Sequence, residues 1–251
     1  FRLSAVNSIN WARLMAQVVY YFYAGVRLGA PDRAVAYSVP TGNFGDVFAG
    51  YVAAKMGLPV ARLIVATNVN DILARALATG DYSRAAVIPT PTPSMDIQVS
   101  SNFERLLFDL AGRDGPALAA QMQGFETSGA MRLTNAQRDG AATLFTSDRA
   151  DLDDMTMAMR WASEAAGQVI DPHTAIALAA ARRADLDVPI VTLATAHPAK
   201  FRDTVERATG LRPAMPGRVG DLFDREERYD TVDASFAAVS GYIAERASPL
   251  A

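Results

Sequence analysis

The sequence predicts an α/β fold, an open parallel sheet with flanking helices. Short apolar runs at 34–39, 60–68 and 188–195 have the length and composition of buried strands. Segments with helical periodicity separate these runs, and glycine or proline residues mark most of the boundaries. Strands that alternate with helices are typical of a parallel sheet with crossover helices.

The first part of the chain contains the clearest elements. Apolar residues recur at near-helical spacing over 8–28, and Gly29 and Pro31 end this helix. The elements that follow are expected in the order strand 34–39, turn 40–45, helix 46–56, strand 60–68 and helix 70–80.

The middle of the chain departs from this alternation. Pro89, Pro91 and Pro93 exclude a regular helix from this stretch. We expect a mainly helical insertion at about 95–150, inside one large α/β domain that takes up residues 1–251. The later elements are expected to be helices at 151–167 and 171–184, the strand 188–195, a helix at 197–210, a solvated acidic loop at 221–230 and a terminal helix at 231–246.

The composition narrows the possible function classes. Half of the 251 residues are hydrophobic, a fifth are charged, and the net charge is −3. We therefore expect no nucleic-acid partner, and no membrane partner, because no apolar run approaches the ~20 residues of a membrane span. The absence of cysteine excludes disulfides and thiolate sites and fits a cytoplasmic location. The two histidines, His173 and His197, lack clustered carboxylates at ligand spacing, so we expect no metal site.

The stretch VPTGNFGDVFAG at 39–50 predicts a tight turn between a strand and a helix. Glycines at 42 and 45 permit positive φ and keep side chains away, so the amides of the turn can cradle a phosphate. The stretch lacks the lysine–hydroxyl pair of a P-loop and the glycine spacing of a dinucleotide-binding turn. A turn without a ligand is an equal alternative, in which Asp46 is simply an acid in the first helical turn.

Other candidates follow the predicted strands. The segments PTGNFGD, NVND and AHPAK come directly after strand ends, and we expect them to face one crevice. Thr195 ends the third strand, where its hydroxyl could meet a ligand or bond to neighbouring backbone. The cluster NSIN at 7–10 reads first as an N-cap of the first helix.

Six stretches, taken together, resemble threonine synthase. They are SAVNSINWARLMAQVVYYF at 4–22, VPTGNFGDVFAGYVAAKMGLPV at 39–60, LIVATNVNDIL at 63–73, TPSMDIQVSSNFERLLF at 92–108, IDPHTAIAL at 170–178 and LATAHPAKF at 193–201. They are spread over most of the chain, and several are long and specific to that family. The resemblance implies a pyridoxal-phosphate (PLP) enzyme of fold type II, a relative of the tryptophan synthase β chain.

The resemblance also implies a reaction and a set of residues. Threonine synthase converts O-phospho-L-homoserine and water to L-threonine and phosphate, with PLP as electron sink. By the match to the family, the residues that hold the cofactor phosphate are Gly42, Asn43, Phe44 and Gly45. Thr195 matches the hydroxyl residue that bonds to the pyridine nitrogen. More loosely, substrate contacts are expected from Asn7, Ser8, Asn10 and Arg13.

The chain departs from the family in its lysines. It contains only Lys55 and Lys200 beside 22 arginines, and it begins at Phe1. The Schiff-base lysine of the family precedes the region matched here, so we expect it upstream, in a missing N-terminal portion that is also a partner of this chain. We expect no catalytic residue in this chain, and neither lysine to replace the upstream one, so the chain alone should be inactive.

Two alternatives stay open. One is a threonine-synthase-like phospho-lyase that acts on a related phosphorylated amine. The other, if the chain is complete, is a non-catalytic module that binds a phosphate ligand.

Overall fold

The computed structural model describes residues 7–247. These residues fall into two compact units, one of Asn7–Pro213 and a second that contains residues 214–247. Every predicted site residue lies in the first unit, so its fold positions the site. The first three residues of the stretch 4–22 lie outside the described residues.

The first unit is built on a four-stranded parallel sheet. The strands in the described part of the chain are β1 (Val35–Pro40), β2 (Val60–Thr67), β3 (Asp81–Ser83), β4 (Ala130–Arg132), β5 (Phe145–Arg149) and β6 (Ile190–Thr192). The order in the sheet is β5-β2-β1-β6, while β3 and β4 form a separate antiparallel pair. The predicted open parallel sheet is confirmed.

Helices cover this sheet and fill the connections. Within residues 7–247 the α-helices are α1 (Trp11–Arg27), α2 (Gly45–Lys55), α3 (Ile72–Thr79), α4 (Phe103–Leu110), α5 (Gly115–Ser128), α6 (Asn135–Ala142), α7 (Leu152–Ala166), α8 (Pro172–Arg183), α9 (Arg202–Thr209) and α10 (Phe236–Arg246). Short 3-10 helices occur at Pro93–Met95, Pro198–Phe201, Gly217–Val219 and Leu222–Asp224.

The central strand β1 is buried along its whole length, and its side chains enter two cores. Tyr37 packs in the core that contains α1 and α2. Ser38 faces the opposite side, where its Oγ donates to the carbonyl of Ala177 on α8 at 2.7 Å. On β2, Leu63 packs in the same core as Tyr37, and Ile64 packs in the core on the opposite side. Because successive side chains of a strand alternate, both faces of the sheet are covered.

The segment 95–150 is mainly helical, as predicted, but it also contributes β4 and the edge strand β5. The sequence analysis missed β5 because its residues, FTSDR, show no apolar run. Only Phe145 is fully buried there, and the strand is held by parallel pairing with β2 from Leu63 to Thr67. A strand that is stabilised mainly by backbone pairing with its neighbour has little sequence pattern by which it could be predicted.

The predicted buried strand 188–195 is wrong in length and burial. β6 spans only Ile190–Thr192, is half-buried, and pairs with β1 at the sheet edge. The predicted helix 197–210 begins as the 3-10 helix Pro198–Phe201 and becomes α9. The terminal helix starts at Phe236 rather than at residue 231, because Ser235 caps it through the N–H of Ala238.

Candidate functional site

A cavity of about 420 Å³ opens beyond the carboxyl ends of β1 and β6. Its walls come from α1, the turn after β1, the 3-10 helix at Pro93–Met95, the start of α8 and the segment after β6. The lining residues are Ser8, Arg13, Gln17, Tyr20, Pro40, Gly42, Asn43, Gly45, Asp46, Ser94, Met95, His173, Leu193, Ala194, Thr195, Ala196, Lys200 and Phe201.

Two of the three segments that were expected to share a crevice do so. Residues of PTGNFGD and of AHPAK line this cavity, whereas Asn68 and Val69 of NVND line another one. The expectation was wrong for NVND because Asn68 and Asn70 donate to the carboxylate of Asp96, at 2.7 and 3.0 Å. These bonds hold them to the proline-containing segment instead.

The turn after β1 differs from its predicted backbone geometry. The described positive-φ residues include Phe44, at 67°, but neither Gly42 nor Gly45. A non-glycine residue in this region is uncommon and typical of functional turns. The Phe44 side chain is fully buried and packs against Phe103 at 5.2 Å between ring centroids. Burial of this ring therefore holds the turn in shape.

Glycine at 42 is required by close packing rather than by φ. A Cβ on Gly42 would lie 2.5 Å from the carbonyl oxygen of Ser94, which is backbone and cannot move aside easily. A Cβ on Gly45 would meet Asn102 Nδ2 and Asn43 Oδ1 at 3.3 Å. The turn is thus packed tightly against the segment that contains Ser94.

The amides of this turn are left for a ligand. Ser100 Oγ donates to the carbonyl of Gly42 at 2.9 Å, and the Asn102 N–H donates to the carbonyl of Asn43 at 3.0 Å. Asn43 Oδ1 accepts the N–H of Gly45 at 3.1 Å, so this amide is already engaged. Within residues 7–247, the N–H groups that make no hydrogen bond include those of Gly42, Asn43, Phe44 and Asp46.

The Asp46 carboxylate contacts Tyr21. Tyr21 Oη lies 2.8 Å from the carbonyl oxygen of Asp46 and 3.1 Å from its Oδ1. Burial raises the pKa of Asp46 to about 6, against a lowering by the Tyr21 hydrogen bond. Burial, followed by the nearby Asp46, also raises the pKa of Tyr21 well above its usual value.

A buried aspartate–histidine pair stands at the start of α8. Asp171 caps the helix by accepting the N–H groups of His173 and Thr174 at 2.9 and 3.4 Å, and it also accepts the Thr174 hydroxyl. Its Oδ1 lies 3.1 Å from His173 Nδ1. Burial raises the pKa of Asp171, but the hydrogen bonds from His173 and Thr174 outweigh it and the net pKa is lowered.

Two cationic side chains line the cavity. Arg13 and Lys200 are exposed, and neither has an ion-pair partner in the part of the chain that the structure describes. The Thr195 hydroxyl, also on the wall, makes no hydrogen bond to any described residue. Lys55 lies at the end of α2, exposed, with Nζ 5.2 Å from the centre of the Tyr51 ring, and is not on the cavity wall.

The NSIN cluster divides between capping and the cavity. Asn10 is the N-cap of α1, where its Oδ1 accepts the N–H of Ala12 at 3.0 Å. Asn7 Oδ1 accepts the N–H of Ile9 at 3.0 Å. Ser8 lines the cavity and these two asparagines do not. The structure thus brings Ser8 and Arg13, but not Asn7 and Asn10, to the predicted cofactor residues.

Sequence reasoning missed the Asp171–His173 pair and the contribution of Ser94. In the stretch DPHT, the acid at the N-cap followed two residues later by histidine was a usable signal. Among residues 7–247, no cluster of three or more possible metal ligands occurs, and no helix has the length and apolarity to cross a membrane.

The cavity combines groups for binding an anionic ligand. Free amides at a helix start attract phosphate, a hydroxyl faces them from another wall, and two cations lie nearby. The fold and this cavity define an α/β protein of the fold type II class. A solved structure of PLP-bound threonine synthase from Brucella melitensis matches it with a TM-score of 0.92 and 48% identity, over 97% of this chain and 53% of that one.

Comparisons of sequence then identify the family. The model described as threonine synthase, C-terminal, matches residues 174–243. The threonine synthase of Pseudomonas aeruginosa is 51% identical over 99% of this chain and 54% of its own length. The solved yeast threonine synthase matches with a TM-score of 0.83 and 38% identity, over 89% of this chain and 50% of that one. The chain belongs to the threonine synthase family and spans about half the length of these relatives.

Proposed function

We propose that the full-length protein containing this chain is a cytoplasmic, PLP-dependent threonine synthase that converts O-phospho-L-homoserine and water to L-threonine and phosphate. The observation that carries the proposal is the turn at Gly42–Asp46, whose unpaired amides share a cavity with Thr195 and two cations. The resemblance to a PLP-bound relative supports the choice of cofactor.

The residues present fit PLP. The free N–H groups of Gly42, Asn43, Phe44 and Asp46 would hold its phosphate. The missing Cβ at position 42 allows this turn to pack closely against Ser94. The Thr195 hydroxyl would bond to the ring nitrogen as a neutral partner. When bound, PLP supplies an electron sink for charge that develops on the substrate.

The remaining polar groups of the cavity would bind the substrate. Arg13 and Lys200 carry the charges that a phosphate dianion and a carboxylate require. Ser8 adds a hydroxyl on the same wall. We place the lysine that carries PLP in the remainder of the protein, because Lys55 is remote and Lys200 lies in TAHPAKF, outside the lysine motif of the family.

The test is an assay of purified full-length protein with PLP and O-phospho-L-homoserine. Equal release of phosphate and L-threonine is expected. A keto acid in place of threonine would indicate the phospho-lyase alternative. Phosphate binding without turnover would indicate the non-catalytic module. Borohydride reduction followed by peptide mapping should label a lysine outside this chain, and a label on Lys200 would overturn that assignment.

The remainder of the protein is also proposed as the partner of α1. This helix exposes an apolar stripe at helical spacing, formed by Trp11, Met15, Val19 and Val26. Exposed stripes of this kind mark contact surfaces. About half the length of the relatives lies outside the matched region, which is enough chain to cover it.

A further inference from the structure

His173 has a buried ring nitrogen that no described residue satisfies. The residue is 4% exposed, and its Nε2 has no hydrogen-bond partner within the described part of the chain. A buried polar atom left unpaired destabilises the folded protein. Such an atom therefore needs an explanation, and here it belongs to a residue on the cavity wall.

The opposite side of the ring is held by two contacts. Nδ1 lies 3.1 Å from Asp171 Oδ1, and the ring packs on Phe201 with 4.9 Å between centroids. A carboxylate beside Nδ1 keeps a proton on that nitrogen, so the lone pair of the neutral ring is at Nε2. The ring is thus oriented, its tautomer is set, and the atom that can gain or lose a proton is Nε2.

We propose that His173 is an acid–base residue of the cavity, with Asp171 as its positioning residue. This inference rests on the proposed function. The other charged or titratable groups on the cavity walls are Arg13, Tyr20, Asp46 and Lys200. Arg13 and Lys200 supply positive charge, but no neighbouring residue fixes where their protons lie. Asp46 is hydrogen-bonded to Tyr21.

The proposed reaction needs one group that gives a proton and then takes one. Comparison of substrate with product shows that one hydrogen moves from Cβ to Cγ. What remains is one proton that passes from water to the departing phosphate. A single histidine can carry this proton if it faces both species in turn.

The proton balance is as follows. When the Cγ–oxygen bond breaks, its electron pair goes to the phosphate oxygen, and protonated Nε2 donates a proton to that oxygen. When water forms the new bond to Cβ, one O–H bond of the water breaks and its proton returns to Nε2. His173 ends in its initial state, and monohydrogen phosphate leaves.

The kinetic test uses His173→Gln in the full-length protein. We expect kcat to fall about 100-fold or more, KM to change less than about threefold, and one limb of the pH profile of kcat to disappear. His197→Asn is the matched control: it removes the other histidine, which is exposed, and keeps a capping side chain for the N–H of Ala199. It should retain kcat within about threefold. An unchanged pH profile in His173→Gln would overturn the proposal.

A second measurement does not depend on turnover. In the ¹⁵N spectrum of full-length protein with labelled histidine, the signal absent from His173→Gln identifies His173, and His173→Asn serves if the glutamine variant fails to fold. We expect the Nε2 signal to shift when inorganic phosphate is added, and Asp171→Asn to weaken the preference for the Nδ1–H tautomer. A resonance insensitive to phosphate would refute the role. Failure of wild type to form threonine would refute the proposed function alone.

Discussion

Gly42 illustrates how one atom's absence shapes the candidate site. Its missing side chain allows the turn after β1 to lie against the carbonyl oxygen of Ser94, and Phe44, two residues later, adopts the left-handed conformation. The ring of Phe44 is buried, so the core stabilises a backbone that leaves several amides free. In the proposed cofactor site, these residues would present N–H groups to the phosphate of the ligand.

Gly42→Ala should weaken PLP retention by about tenfold or more in the full-length protein. The new Cβ would lie 2.5 Å from a backbone oxygen, so the turn or the Ser94 segment must shift. Absorbance of bound PLP after dialysis measures the effect. Gly124→Ala is the control, because nothing lies within 4 Å of its added Cβ. Equal retention by the two variants would refute the phosphate role of the turn.

Asp46 should make stability depend on pH. Its pKa is about 6 in the folded protein and near 3.8 when exposed. Folding therefore favours the protonated form, and the contribution present below pH 4 is lost as the pH rises through about 6, by up to about 3 kcal/mol. The loss is complete about one pH unit above 6, and no further change arises from this group at higher pH.

Urea unfolding of PLP-free full-length protein at pH 4.5 and pH 7.5 measures this effect. We subtract the unfolding free energy at pH 4.5 from that at pH 7.5. This difference should be more positive in Asp46→Asn than in wild type, because the variant does not lose the contribution of Asp46 at the higher pH. Asp139→Asn, at a largely exposed carboxylate, should leave the wild-type difference unchanged. An identical pH dependence in wild type and Asp46→Asn would contradict the raised pKa.

At the scale of elements, the proline-containing segment acts through hydrogen bonds rather than regular structure. Asp96 accepts from Asn68 Nδ2, Asn70 Nδ2 and both the N–H and the hydroxyl of Thr90, at 2.7–3.0 Å. These bonds connect the end of β2 to the segment that carries Ser94. The polar cluster thus determines where one wall of the cavity stands.

Asp96→Ala should destabilise the full-length protein by about 1–3 kcal/mol, because the Thr90 N–H loses its acceptor and Asn68 and Asn70 each lose one of theirs. It should also reduce PLP affinity, since Ser94 packs on Gly42. Thermal unfolding and PLP titration measure the two effects. Asp139→Ala, whose side chain is 74% exposed, is expected to leave both unchanged. Wild-type PLP affinity in Asp96→Ala would show that the cluster does not position the cavity wall.

At the scale of the whole molecule, the apolar stripe of α1 links this chain to the rest of its protein. Val19 is 61% exposed, and the other stripe residues lie along the same helix. A charge placed on a free surface changes stability by little, whereas a buried charge is costly. The response of the full-length protein therefore reports whether this stripe is covered.

Val19→Asp should lower the melting temperature of the full-length protein by several degrees. Met157→Asp on α7 is the comparison, because Met157 is 60% exposed and lies outside the stripe; its melting temperature should stay within about one degree of wild type. If both variants have the melting temperature of wild type, the remainder of the protein does not pack on α1.

Much of the architecture was predictable because local signals agreed with it. The alternation of strand and helix patterns, the glycine-bearing turn and the cap residue of α1 are each encoded within about ten residues. β5 was not predictable in the same way, since its pairing with β2 rather than its own composition makes it a strand. The burial of β6 was overestimated because an apolar run does not reveal which edge of a sheet it occupies.

By itself, the sequence determined the parallel α/β architecture and, through its resemblance, the family and the turn that would hold the cofactor. Only the tertiary structure decided which polar residues share a cavity. It brought Ser8, Arg13, Thr195 and His173 together and kept Asn7 and Asn10 outside. The reason is physical: secondary structure depends on neighbours along the chain, whereas a cavity depends on side chains that the sheet brings together from distant positions.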